Sequence, residues 1–239
     1  MKRIFTVSIL LGILAIVPAE AKYAKAKPKE SMIRSGFKFG FGAGYGWSKA
    51  VIATTQSALG ISRTRSIDLA GEGALGRVFI GYDHINKSGF MIGFEMGGEF
   101  SNINGTTQPE TALLIENVSL KTENTFDIAL RLGYAVKKAF IPYFKFGMDN
   151  TSFKMSNRYS IGQLVNNEVK KRLTGIVAGV GAEVPVSTSI SLGAEYSYSY
   201  FLAKIVNTQR DPANPTQTFQ TNNTRPRINK IVARMMVKI

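Results

Sequence analysis

The feature that most constrains this chain is a two-residue alternation that recurs from residue 36 to the end. From Phe37 the odd positions read Phe37, Phe39, Phe41, Ala43, Tyr45 and Trp47, while Lys38, Gly40, Gly42, Gly44, Gly46 and Ser48 lie between them. Successive side chains of a strand point to opposite faces, so this is a strand with one apolar face and one small or polar face. A second run sets Phe90, Ile92, Phe94, Met96 and Phe100 against Met91, Gly93, Glu95, Gly97 and Glu99. Runs opening at Phe126, Pro142, Ile176, Ile190 and Ile231 follow the same rule. The faintest lies near 69–82, with Val78, Ile80 and Tyr82 on its outer face and Arg77 on its inner one. Eight antiparallel strands are expected. Their connections alternate between short (83–89, 136–139, 185–189) and long (49–68, 101–121, 154–172, 204–227).

The period alone leaves the direction of each face open. A soluble lipocalin-like barrel alternates as well, with its apolar set inside. Here the apolar set is crowded with Phe and Tyr, and the other set is glycine, serine and charge. Those rings would overfill a small barrel. In water they would cost about 25 cal/mol per Å² of exposed apolar surface. Facing lipid, they form the band and aromatic girdles of a transmembrane barrel. Strands cross lipid only as a closed barrel, because every backbone group must be paired there. The expected fold is an all-β, eight-stranded antiparallel transmembrane up-and-down barrel spanning 36–239.

The inward face then carries Lys38, Arg77, Arg131, Lys145, Lys230, Arg234 and Lys238 against Glu95, Glu99, Asp127, Asp149, Glu183 and Glu195. Charges removed from water need partners, so this near balance predicts a cross-barrel ion-pair network. Strand adjacency points to Glu95 and Glu99 as partners of Arg131. The lumen of an eight-stranded barrel barely holds side chains, and the charges are read as a polar plug.

The amino terminus supplies the route. Lys2 and Arg3 precede an apolar run over 4–17, and Ala19 and Ala21 stand at the small-residue positions of a signal-peptidase site. That is the three-part pattern of a secretory signal peptide covering 1–21. The run is too short for a membrane-spanning helix, which needs about 20 apolar residues. Residues 22–35 form a basic segment, expected in the periplasm, with Lys22, Lys25, Lys27, Lys29 and Arg34 against Glu30. With no cysteine in the chain, disulfides and thiolate metal sites are excluded.

The Phe-Gly-rich first strand, Gly81-Tyr82, Gly181-Ala182-Glu183 and Gly193-Ala194-Glu195-Tyr196 resemble the small outer-membrane barrel family. That family groups opacity-type surface antigens with OmpA-like, porin-like transmembrane domains. The resemblance covers about 36–239, nearly all of the mature chain, and implies the outer membrane of a Gram-negative-type bacterium. It also implies insertion by the barrel-assembly machinery, which in that family commonly reads a terminal phenylalanine; Ile239 stands there in this chain, and the alternating Met235, Val237 and Ile239 keep the rest of the signal.

Catalysis is not expected. The only histidine, His84, falls in the 83–89 connection, which reads as a solvated turn, and no metal-ligand cluster, phosphate loop or nucleophile elbow is present. No cofactor is expected. The net charge of +14 invites a nucleic-acid reading, which export removes. The loop cations Lys154, Arg158, Lys170, Lys171, Arg172, Lys204, Arg210, Arg225 and Arg227 point instead to lipopolysaccharide phosphates, or to host and other anionic surface ligands. Two functions follow: a monomeric surface protein of structural, antigen or adhesin type, or a narrow porin for small solutes.

Overall fold

The computed structural model describes residues 33–239 except 59–60, 108–114, 137–138, 162 and 211–217. The leader, its cleavage pair Ala19 and Ala21, and most of the basic segment lie outside the described residues. Among the described residues there are eleven strands: β1 Gly36–Ala58, β2 Ile61–Ile85, β3 Phe90–Ser101, β4 Asn104–Thr107, β5 Ile115–Tyr134, β6 Ile141–Ile161, β7 Gln163–Pro185, β8 Ile190–Phe201, β9 Ile205–Arg210, β10 Thr218–Thr224 and β11 Arg227–Lys238. They compose eight staves, because β4 carries on from β3, β9 from β8, and β10 leads into β11. Each stave pairs antiparallel with the next, and β11 pairs back onto β1, closing the ring.

The register fixes the width of that ring. Followed once around through Gly81, Glu95, Ala129, Gly147, Val177, Ser199 and Ile228, the row that starts at Lys38 returns to β1 at Ser48, ten residues on. Eight strands with that stagger tilt by roughly 40° and enclose a barrel of about 8 Å backbone radius. Side chains fill such a space.

The short connections are compact turns. In the first, Asn86 accepts the Ser88 hydroxyl and the Phe90 amide on its side-chain oxygen, and Gly89 takes φ +92°, a conformation that favours glycine. In the third, Ser187 Oγ accepts the amides of Ser189 and Ile190. The described parts of the long connections are mostly paired strand. β1 and β2 stay paired from Gly36↔Asp83 out to Ala58↔Ile61, and β6 and β7 out to Ile161↔Gln163. A tilted strand crosses the bilayer in about 9–11 residues, so staves of 20 to 25 residues project well beyond it. The segments read as loops at 49–68 and 154–172 are largely ladder. Two long strands that leave the membrane side by side keep their amides satisfied by continuing to pair.

Within the membrane the faces divide by parity. Leu130 is 55% exposed beside Arg131 at 0%. Phe37, Phe39, Phe41, Ile80, Phe94, Phe144 and Phe146 all face outward, while every residue of the predicted inward charge set is buried.

Candidate functional site

The interior is built in three layers. Nearest the short turns, Ile33, Met91, Ile141 and Tyr143 form a small apolar floor. The charged layer stands on it. Parity on β2 that turns Arg77, Phe79 and Gly81 inward also turns Asp83 inward, because β2 runs on to Ile85 instead of ending near 82. By its sequence context Asp83 falls in the 83–89 turn. The ladder makes it a seventh buried acid, and seven buried cations now face seven buried anions among the described residues.

Glu95 on β3 is the hub. Its carboxylate lies 3.4 Å from Lys38 Nζ, 3.2 Å from Arg77 Nη2, 3.6 Å from Lys145 Nζ and 3.8 Å from Arg131 Nε, and it pairs with Arg234. Asp127 accepts both terminal nitrogens of Arg77, at 2.6 and 2.7 Å, and lies 3.3 Å from Lys145. Glu195 accepts from Tyr143 at 2.9 Å and Lys145 at 3.0 Å and pairs with Arg234. Glycines supply the room: a Cβ at Gly97 would stand 2.6 Å from Arg77 Nη2. Aromatic faces back the guanidinium groups, with Arg131 3.8 Å over the Tyr143 ring and Arg234 4.1 Å over Phe79.

Arg131 does not take the two partners that strand adjacency suggested. It pairs with Asp83 at 3.3 Å and with Glu183, touches Glu95 at 3.8 Å, and leaves Glu99 to Lys230 at 3.1 Å. The register explains this: Arg131 lies opposite Gly93, and Glu99 stands six residues farther along that strand, about 20 Å away. Asp149 and Lys238 are buried on the inner face, yet neither has an opposite charge within 4.0 Å among the described residues.

The third layer was missed entirely. Above the charges, Ile52, Leu69, Ile103, Val118, Leu120, Phe153, Met155, Leu173, Phe201, Ile205 and Ile228 close into one buried apolar cluster, with Phe153 and Phe201 edge to face at 4.9 Å. The available signal was Ile52, which keeps the even, inward parity of Lys38 and Ser48. On β5 the signal is hidden by a bulge. Thr122 pairs with Phe153 and Thr125 with Thr151, so Glu123 and Asn124 together face Ser152. The extra residue reverses parity and turns Val118 and Leu120 inward.

Outside the barrel, Lys154, Lys170, Lys171 and Arg172 are engaged locally. Lys154 meets Glu168 at 2.8 Å and Lys170 meets Glu123 at 2.5 Å. Lys170 holds the Glu123 carboxyl below its ordinary range, chiefly by hydrogen bonding, and Glu168 likewise raises Lys154. His84 lies in β2, paired with Ile92 and exposed, not in the turn. Among the described residues no group of three or more His, Asp or Glu side chains is arranged to hold a metal ion.

Comparison with known proteins agrees with this architecture. A family model described as outer membrane protein beta-barrel domain matches residues 9–223. The 31 kDa outer-membrane immunogenic protein of Brucella melitensis is 23% identical over 190 residues, which cover 77% of this chain and 78% of that protein. Among solved structures, the outer membrane protease OmpT of Escherichia coli has a TM-score of 0.52 at 10% identity, covering 85% of this chain and 97% of that one. OprG of Pseudomonas aeruginosa has a TM-score of 0.49 at 9% identity, covering 87% and 99%.

Proposed function

The chain belongs to the outer membrane protein β-barrel domain family, and on that premise we propose that it is a closed, non-enzymatic barrel whose work is done on the cell surface, in a structural, antigen or adhesin-type role. It resides in the outer membrane. The observation that carries the reading is the filling of the interior at three successive levels. An ion must strip the apolar cap of residues such as Ile52, Phe153 and Phe201, then part a network centred on Glu95, then pass Met91 and Ile141. Moving a charge through such a region costs several kcal/mol without compensating partners, so the lumen is proposed to stay shut.

What the surroundings meet instead is the projecting ladder of β1–β2 and β6–β7, a paired stalk above the bilayer. The Brucella relative is named as immunogenic, which accords with display on the surface. Delivery by a signal peptide over 1–21, insertion by the barrel-assembly machinery and a monomeric state complete the proposal, as does contact of the basic outer segments with host or other anionic surface ligands.

Planar-bilayer recording tests the closed state. Wild type is expected to show no steady conductance. Arg131→Ala alone should leave the apolar cap in place and stay quiet, and only Arg131→Ala combined with Phe153→Ala should open. Large, steady openings of the wild type would move the protein to the narrow-porin class.

A further inference from the structure

On the outer wall, one row of the register runs Ala70, Lys49, Arg227 and Tyr200 across β2, β1, β11 and β8. Lys49 and Arg227 are direct cross-strand neighbours, and both are exposed. Like charges placed directly opposite on adjacent strands repel, with Cβ atoms only about 5 Å apart. Among the described residues no acid lies within 4.0 Å of either, although Asp68 and Glu72 stand on the adjoining strand. Arg225 adds a third cation, held by donation to the Tyr200 hydroxyl at 2.7 Å, and the guanidinium groups of Arg225 and Arg227 both lie 5.7 Å from the Tyr200 ring. These groups line an open recess of about 500 Å³ together with Ala50, Val51, Asp68, Leu69 and Ala70.

The height of this recess identifies its occupant. Immediately toward the membrane, Trp47 pairs in register with Asn229 and Asn229 with Tyr198, and the Trp47 ring lies 6.3 Å from Tyr196, whose hydroxyl donates to Asn229. Those rings make an aromatic girdle at the lipid–water boundary. Lys49 and Arg227 stand two residues beyond Trp47 and Asn229, about 5 Å farther out along a strand tilted by roughly 40°. That is headgroup level, on the side away from the short periplasmic turns. We propose that the Lys49, Arg225 and Arg227 recess binds the phosphate of an outer-leaflet lipid headgroup, with the Tyr200 ring fixing the guanidinium groups and the lipid chains lying along the wall below. The two cations repel when empty, and a shared anion removes that repulsion, so the site is built for one phosphate bridging two strands. The inference rests on outer-membrane placement alone and stands apart from the closed lumen.

The test uses the refolded full barrel, with heat-modifiable gel migration to confirm that each variant is folded. Retention of phosphorylated lipid A and of its dephosphorylated counterpart is measured by native mass spectrometry and by titration into mixed micelles. Wild type is expected to prefer the phosphorylated form. Lys49→Ala with Arg227→Ala should weaken its retention about 30-fold, from a contribution of about 1 kcal/mol per surface cation, and should abolish the preference. Lys121→Ala, on the far side of the ring, should bind as wild type. Undiminished retention by the double variant, or equal retention of dephosphorylated lipid A by the wild type, would overturn the proposal. Full displacement by inorganic phosphate or by soluble heparin would overturn the lipid assignment in favour of a free anion. Conductance is unaffected by either outcome, so failure here is distinct from failure of the closed-barrel reading.

Discussion

Below the bulge at Glu123 and Asn124, β5 sends Phe126, Ile128, Leu130 and Leu132 outward and Asp127 and Arg131 inward; above it, Val118 and Leu120 go inward and Lys121 outward. One strand obeys two opposite rules because its surroundings change from lipid to water along its length. In lipid the outer face loses nothing by being apolar, and the polar groups collect inside where they find each other. In water the ordinary hydrophobic effect returns and the apolar side chains turn inward. β1 makes the same transition without a bulge: its inward positions simply change from Lys38 and the glycines to Ala50 and Ile52. A barrel can reverse its polarity by shifting parity or by changing composition, and this one uses both.

The strongest way to break that comparison is to exchange the two faces above the bulge with Leu120→Lys and Lys121→Leu. Pairing of Thr122 with Phe153 and of Leu120 with Met155 keeps position 120 inward, so the exchange buries an unpaired lysine in the apolar cap and exposes a leucine to water. The loss should exceed about 5 kcal/mol, and the expected result is failure to reach the heat-modifiable folded form in vesicles. A variant that folds with wild-type stability would show that the outer part of β5 is free to turn either face inward.

The charged layer comes next. Glu95→Ala removes the acid that five cations share, each of which keeps at least one other carboxylate, and breaking buried pairs in this way costs about 3–5 kcal/mol. Urea titration in lipid vesicles would read this as a lower midpoint. An unchanged midpoint would mean that the interior hydrates and that the charges act singly.

A smaller effect sharpens the boundary between the two regions. Leu130→Arg puts charge on the lipid face and should cost about 2–4 kcal/mol. Ser119→Arg, on the same outer surface but above the bulge, should stay within about 0.5 kcal/mol. Equal penalties at the two positions would place the membrane edge elsewhere.

The smallest effect is confined to acid pH and to the stalk. Lys170 keeps the Glu123 carboxyl below its ordinary value of 4.5, so this pair contributes stability above that value and loses it as pH falls through the lower folded one. Water screens so exposed a pair, and the contribution is small. Lys170→Ala should lower the urea midpoint slightly at pH 6 and match wild type once the carboxyl is protonated in both. A difference that persists at the lowest pH would show that Lys170 acts through something other than this carboxylate.

Much of the fold could be read in advance. Phe37 to Trp47 alternating with glycines, and Leu130 beside Arg131, declare a strand that is apolar on the outside, because a face too crowded with rings to fit a narrow lumen has to meet lipid. Two things were harder to see. The cap lies in segments of mixed polarity that resemble loops, and only pairing between neighbours such as Ala53↔Ser66 or Ser156↔Glu168 makes them strands. Asp83 was hidden by three residues of strand length.

By itself the sequence determined the closed eight-stave barrel, its inside-out polarity in the membrane and all but Asp83 of the charges that share its interior. These follow from a period of two and from the cost of unpaired groups in lipid, both of which are local. The tertiary structure decided which charges meet. A stagger of ten residues around the ring, from Lys38 to Ser48, slides each strand past the next, so Arg131 meets Asp83 and Glu183 while Glu99 meets Lys230. Partners across a barrel are set by tilt and shear, which are properties of the closed ring that no single strand contains.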